Sequence, residues 1–119
     1  MSEIWNAINA YQFSERVKGY LIAALKLVDA VEGFKGDVRS GAVKATKMYL
    51  DIITGETRIA ANSTRDKRFI TVSNMIQEAS NLIEANMHAQ ARKVLSEALT
   101  LTTTTCAENY EKLSQLNLA

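Results

Sequence analysis

The stretch that decides the fold of this 119-residue chain is Leu99–Cys106, which reads LTLTTTTC. Threonine is β-branched and lowers helix stability by roughly 0.6 kcal/mol relative to alanine, so a strand is the alternative here. The apolar positions before the run, Ala91, Leu95 and Ala98, keep helical phase with Leu113 after it. No other segment alternates cleanly, so a strand would lack a partner. The sequence therefore predicts a helix through the run.

Outward from this run, four segments keep their apolar residues on one helical face. The segments are about Ser14 to Gly33, Asp37 to about Ala61, a third that follows the cap candidates Asn62, Ser63 and Thr64, and about His88 to Asn117. The chain contains no proline, the residue that breaks helix interiors. We therefore predict an all-α fold, an antiparallel four-helix bundle of up-down-up-down order over residues 14–117 of a single 1–119 domain.

The second segment has one apolar face that we expect to lie in the core. Its members are Val38, Ala42, Ala45, Met48, Tyr49, Ile52, Ile53 and Ile59. Gly55 interrupts the segment, and glycine inside a helix costs about 1 kcal/mol relative to alanine. Because the apolar phase survives this glycine, we predict one continuous helix.

The corner before the fourth helix has a recognisable local pattern. The stretch Ala79–Leu101 resembles the junction and second helix of a tetratricopeptide repeat, with Asn86 in place of the usual glycine and with Ala91, Ala98 and Leu99 at the small and apolar positions. The resemblance covers about a fifth of the chain, and no second copy follows at a period of about 34 residues. It implies a helical hairpin at this asparagine.

The N-terminal residues predict a separate short helix. One face there is formed by Ile4, Trp5, Ile8 and Tyr11. That face does not continue into the apolar stripe of Val17–Val31. Between Tyr11 and Val17, the apolar side rotates around the helix axis by more than a quarter turn. We therefore expect an N-terminal helical arm, residues 1–13, with a joint near Gln12–Ser14.

This arm carries our leading functional hypothesis. Antiparallel packing brings it beside the end of the fourth helix, where Tyr110, Leu113 and Leu116 extend beyond the third. A tryptophan surrounded by leucines is typical of protein interfaces. We expect a non-enzymatic interaction or scaffold module whose partner is a second copy of the chain, giving a homodimer. The alternative is that the arm folds onto this end within one chain.

A group of basic residues supports a second hypothesis. Its members are Lys44, Lys47, Arg65, Lys67 and Arg68. On the second and third helices they would bind anions, either nucleic acid or an acidic protein, although the net charge of only +1 implies no bulk attraction to a polyanion. Aromatic residues between them are sparse, which disfavours single-strand binding. An ordinary solvated face is the alternative.

No spacing predicts an enzyme, a metal centre or a cofactor. The only histidine, His88, is expected in a solvated turn, and the only cysteine, Cys106, is expected to be a small buried side chain. Paired carboxylates and glycine-rich phosphate loops are absent from the sequence. The first residues lack the pattern of a secretory signal, and no apolar stretch approaches the length of a membrane span. We therefore expect a cytoplasmic location and no membrane partner.

Overall fold

A computed structural model describes residues 2–116 of the chain and contains four α-helices over that range. They are α1 (Ser2–Glu32), α2 (Gly36–Thr64), α3 (Lys67–Glu84) and α4 (His88–Gln115). Helix α1 packs against α2 and α4, and α3 packs against the same two helices. The body measures 55 × 21 × 17 Å. The predicted four-helix bundle is confirmed, whereas the predicted end of the fourth helix at Asn117 lies outside the described residues.

The threonine run is helical throughout. Thr102 and Thr105 are buried, and their hydroxyls donate hydrogen bonds of 2.9 and 3.0 Å to the backbone carbonyls of Ala98 and Leu101. A hydroxyl that bonds four residues back along its own helix satisfies its polarity without a partner on another helix. This local satisfaction lets threonine occupy the core despite its weak helix propensity.

The turn between α2 and α3 lies a few residues later than the sequence suggested. Helix α2 continues through the predicted cap residues, and the Thr64 hydroxyl donates to the Ala60 carbonyl at 2.7 Å, as a helix-interior threonine does. Arg65 then adopts a left-handed backbone with φ of 59°, which ends the helix. Asp66 is the cap of α3, and its carboxylate accepts a 2.9 Å hydrogen bond from the Arg68 amide.

The hairpin predicted between α3 and α4 is present. Asn86 adopts a left-handed conformation with φ of 63°, which asparagine tolerates better than most residues. The amide of Met87 donates to the carbonyl of Leu82 at 2.8 Å and closes the end of α3. Asparagine therefore serves here as the helix-ending residue, as the sequence resemblance implied.

The N-terminal segment is helical, but the joint expected near residues 12–14 is absent, because α1 runs unbroken from Ser2 to Glu32. The inward positions in its first half are Ala7, Ala10 and Ser14, and they continue the three-and-four spacing of Val17 and Leu21. Ser14 donates to the carbonyl of Ala10 at 2.6 Å. The apparent break in phase arose because these small inward residues contribute little to an apolar pattern.

The core has two unequal halves. In the half that contains the α1–α2 turn, it has large aliphatic side chains such as Leu21, Val28, Ile83 and Leu95, all fully buried. Near the α2–α3 turn most inward side chains are small or polar. This second group comprises Ala7, Ala10, Ser14, Thr57, Ala60, Ala61, Ser73, Thr105, Cys106 and Asn109. Phe69, Val72 and Leu113 are buried in the same half and supply larger side chains among these small neighbours.

Charged side chains hold neighbouring helices in register. Arg92 of α4 donates to Asp29 and Glu32 of α1, each at 2.7 Å. Lys47 of α2 donates to the hydroxyl of Ser80 on α3 at 3.1 Å. Exposed ion pairs such as those of Arg92 contribute about 0–1 kcal/mol each, so burial of the core dominates stability.

Candidate interaction surface

Exposed apolar residues of the described chain form a line on the outer side of α2, which we call the outer row. It consists of Val38, Gly41, Ala45, Met48, Ile52, Gly55 and Ile59. The side chains of Val38, Met48, Ile52 and Ile59 are 63%, 65%, 60% and 54% exposed. These four were expected in the core, so that expectation was wrong.

The true inner face of α2 explains the error. Its buried residues are Thr46, Leu50, Ile53, Thr54, Thr57, Ala60 and Ala61. Threonine and alanine dominate this face, so it reads as weakly apolar beside an outer row that contains isoleucine and methionine. The missed signal is that both faces keep alternating steps of three and four residues along the whole helix. Two such registers on one helix predict two packing faces.

The outer row has the geometry of a helix-packing seam. Val38 and Ile59 are twenty-one steps apart along the helix, or roughly 32 Å at 1.5 Å per residue. A Cβ atom added at Gly41 or Gly55 would meet no atom within 4 Å, and Ala45 is exposed. Small residues of this kind allow a neighbouring helix to approach closely or to insert a large side chain.

A line of charges borders the outer row on the side towards α3. Asp37, Lys44, Asp51 and Arg58 follow one another at seven-residue steps and are all exposed. Their signs alternate along the helix. Asp51 also binds within its own chain, because it accepts hydrogen bonds from Lys47 at 3.2 Å and from Ser80 at 2.7 Å.

The surface predicted at the N-terminal end is partly used inside the chain. The rings of Tyr11 and Tyr110 lie 5.9 Å apart at an angle of 45°, and Leu113 is buried. The structure therefore brings the first turns of α1 against the end of α4. Ile4 and Ile8 are half-buried beside this contact.

Part of that end surface stays open to solvent. Trp5 is 68% exposed, and Tyr110 and Leu116 are 51% and 39% exposed. The indole ring thus has little contact with the rest of the described chain. This end is partly packed within the chain, because Leu113 is buried and the rings of Tyr11 and Tyr110 lie against each other.

The predicted basic residues do not form one patch. Lys44 lies in the first half of α2 and Arg65 directly follows its last residue, so twenty-one residues, or roughly 32 Å of helix, separate them. Arg68 is neutralised by Asp66 at 2.8 Å and Glu108 at 2.6 Å, and its guanidinium lowers the pKa of Asp66. The remaining residue near Arg65 is Lys67, which is exposed.

Lys47 is also engaged, with Asp51 at 3.2 Å and Glu84 at 3.5 Å. It lies with Lys44 and Arg39 along an open cleft of about 580 Å³ between the start of α2 and the end of α3. Glu84 lines the same cleft, so acidic and basic groups are mixed there.

The single cysteine is buried as predicted. The Cys106 thiol lies 3.0 Å from a carboxylate oxygen of Glu15 and donates to it. Burial, followed by this contact, raises the pKa of the thiol to about 11. The pKa of Glu15 is lowered, mainly by the thiol hydrogen bond and then by Lys18. A thiol held protonated at neutral pH is a poor nucleophile.

The single histidine is buried, contrary to the prediction of a solvated turn residue. His88 begins α4 at the inward position preceding Ala91 and is 5% exposed. Its Nε2 atom has no hydrogen-bond partner among the described residues. It is therefore packed as a core side chain.

No protein family, curated protein or solved structure compared with this chain matches it. Within residues 2–116, no group of three or more histidine, cysteine, aspartate or glutamate side chains is arranged to hold a metal ion. Among the helices of the described chain, none is both long enough and apolar enough to cross a membrane. Function is therefore inferred from the surfaces described above.

Proposed function

We propose that the protein is a non-enzymatic interaction module that self-associates through the outer row of α2. The observation that supports this most strongly is the alignment of four large apolar side chains, each more than half exposed, on one helix. Single exposed apolar residues are common on soluble proteins, but a continuous line of them marks a contact surface.

Burial of the outer row would supply the free energy of association. Full burial of one aliphatic side chain of this size contributes about 1.5–3 kcal/mol, so the exposed parts of Val38, Met48, Ile52 and Ile59 contribute about 1–2 kcal/mol each. In a two-fold dimer every residue of the interface is used twice. A single polar substitution in the row therefore removes two contacts.

A second copy is the partner that the neighbouring charges support. Asp37, Lys44, Asp51 and Arg58 alternate in sign along the edge of the outer row. A line of alternating charges is complementary to the same line running in the opposite direction. Self-association also agrees with the expectation from the sequence, although the surface proposed here differs from the one expected there.

The N-terminal end is the second candidate surface. The exposure of Trp5 and Leu116 supports it, since a tryptophan is a frequent anchor in interfaces. It ranks below the outer row because Tyr11 and Tyr110 already pack together within the chain. Anion binding has weaker support, because the predicted basic residues lie at two ends of α2 and two of them are paired with acids.

Sedimentation over a concentration series tests the proposal and separates the two surfaces. We expect the wild-type chain to form a dimer and Met48→Glu to be a monomer. Trp5→Ala should still dimerise, as should the control Ile22→Glu, which changes an isoleucine of α1 that is 41% exposed and lies outside the outer row.

A wild-type chain that stays monomeric at high concentration would refute self-association. Dissociation by Trp5→Ala but not by Met48→Glu would move the interface to the N-terminal end. Circular dichroism of each variant shows whether the helices are intact, so that unfolding is not mistaken for dissociation.

A further inference from the structure

We propose that two copies pair their outer rows in antiparallel directions, in one register that Asp37 and Arg58 select. This inference rests on the proposed self-association and adds the geometry of the pair. Two independent features of α2 support it, the order of large and small residues in the row and the order of charges beside it.

The sizes of the outer-row residues are complementary to their own reverse order. In one antiparallel register Val38 faces Gly55 of the second copy, Ile52 faces Gly41 of the second copy, and Met48 faces Ala45 of the second copy. Every one of these layers joins a large side chain to a small one, which lets the two helices interdigitate. Two-fold symmetry repeats each layer on the other side of the axis.

The last member of the row also finds an apolar neighbour. In this register Ile59 lies level with the connection between α1 and α2 of the second copy. Phe34 in that connection is 41% exposed. The apolar contact therefore continues to the end of the row.

The charges favour the same register. In an antiparallel pair of helices, the line of charged residues on one copy faces the same line on the other copy in reverse order. Asp37 therefore lies beside Arg58 of the second copy, and Lys44 lies beside Asp51 of the second copy. Both contacts join opposite charges, and symmetry provides each of them twice.

Other arrangements lose this agreement. If one helix is shifted by seven residues in one direction, Lys44 lies beside Arg58 of the second copy and Asp51 lies beside Asp51 of the second copy. A seven-residue shift in the other direction places Asp37 beside Asp51 of the second copy and Lys44 beside Lys44 of the second copy. Like charges then meet in both cases, which disfavours those registers. Parallel pairing in register would place Met48 on Met48 and glycine on glycine.

Asp37 and Arg58 are the clearest pair to test. Both are exposed, and neither takes part in an ion pair within the described residues. Asp51, in contrast, is bound to Lys47 and Ser80 of its own chain, so changing it would disturb the bundle.

The experiment uses two charge-reversed chains, Arg58→Asp and Asp37→Arg, at low ionic strength. Each chain alone would bring like charges together at two places, and we expect its dimer Kd to rise about tenfold or more. The Arg58→Asp chain has an acidic residue at positions 37 and 58, and the Asp37→Arg chain has a basic residue at both. When the two chains are mixed, each acidic position of one chain lies beside a basic position of the other. A heterodimer with near wild-type Kd should therefore form. Lys93→Asp on α4 is the control and should leave the Kd unchanged.

Sedimentation equilibrium measures these constants, and a mass tag on one chain identifies the heterodimer by mass spectrometry. If neither single variant weakens the dimer, or if the mixture does not recover affinity while the wild type still dimerises, the register is wrong and self-association stands. If the wild-type chain is a monomer, the proposed function itself fails.

Discussion

The two faces of α2 differ in a way that apolar content alone does not reveal. The inner face buries Thr46, Thr57 and Ala60 beside its leucine and isoleucine, whereas the outer face exposes Met48 and Ile52. On α2, burial therefore follows position and local hydrogen bonding more than side-chain hydropathy. An outer face that is at least as apolar as the inner one is the observation behind the proposed contact with a second copy.

The sharpest test of this difference compares two adjacent isoleucines. Ile53 is 1% exposed and Ile52 is 60% exposed. Ile53→Ala should lower the free energy of unfolding by about 2–5 kcal/mol, because it leaves a cavity in the core. Ile52→Ala should change the unfolding of the monomer by less than about 0.5 kcal/mol.

Urea denaturation at low protein concentration measures both values, and sedimentation shows whether Ile52→Ala weakens the dimer. Equal losses of stability for the two variants would mean that the outer face is packed within the monomer.

The same two faces show which parts of the fold can be predicted from the sequence and which cannot. The four packed helices and their antiparallel order were predictable because apolar spacing persists across each segment, whereas the prediction of a separate N-terminal helix was wrong because α1 is continuous. The inner residues Thr57 and Ala60 were not predictable, since their hydroxyl or small size hides them from an apolar pattern until hydrogen bonds such as that from Thr57 to the Ile53 carbonyl are seen. Ala10 concealed the inward face of the N-terminal segment for the same reason.

The next test replaces one alanine on each face of α2 with the larger leucine. Ala60 is fully buried, so Ala60→Leu should overpack the core and lower stability by about 1–3 kcal/mol. Ala45→Leu should leave the monomer intact and weaken the dimer, because the proposed register places it against Met48. Thermal unfolding and sedimentation distinguish the two effects. A destabilised Ala45→Leu monomer would contradict the assignment of the outer face.

The interior beyond α2 can be probed by titration of Cys106. Its pKa is about 11 in the folded chain, above the ordinary value of 9.0. Between pH 9 and pH 11 the unfolded chain loses the thiol proton, whereas the folded chain keeps it. Deprotonation therefore favours the unfolded chain, and the free energy of unfolding should fall by about 1–2 kcal/mol as pH rises from 9 to 11.

Cys106→Ser removes this titration while it keeps a donor to Glu15. The variant should lose less stability than the wild type over that range in parallel urea titrations. Identical pH dependence in both chains would show that the site is solvated.

A small gain in stability is expected at a glycine of the outer row. A Cβ at Gly55 meets no atom within 4 Å, so Gly55→Ala should stabilise the monomer by about 0.5–1 kcal/mol through helix propensity. Gly19→Ala on α1 is the matched control, since its Cβ is equally free. A loss of stability in Gly55→Ala alone would show that this side of α2 is not open.

The most direct test of self-association through the outer row is a pair of spin-label distances in a Cys106→Ser background. Labels at Ser40 in one sample and at Asn62 in another report the separation of equivalent residues by pulsed electron resonance. The antiparallel dimer predicts roughly 25 Å for Ser40 and roughly 45–50 Å for Asn62, from the helical rise and the distance between packed helices. The absence of any intermolecular distance, or equal distances at both positions, would contradict it.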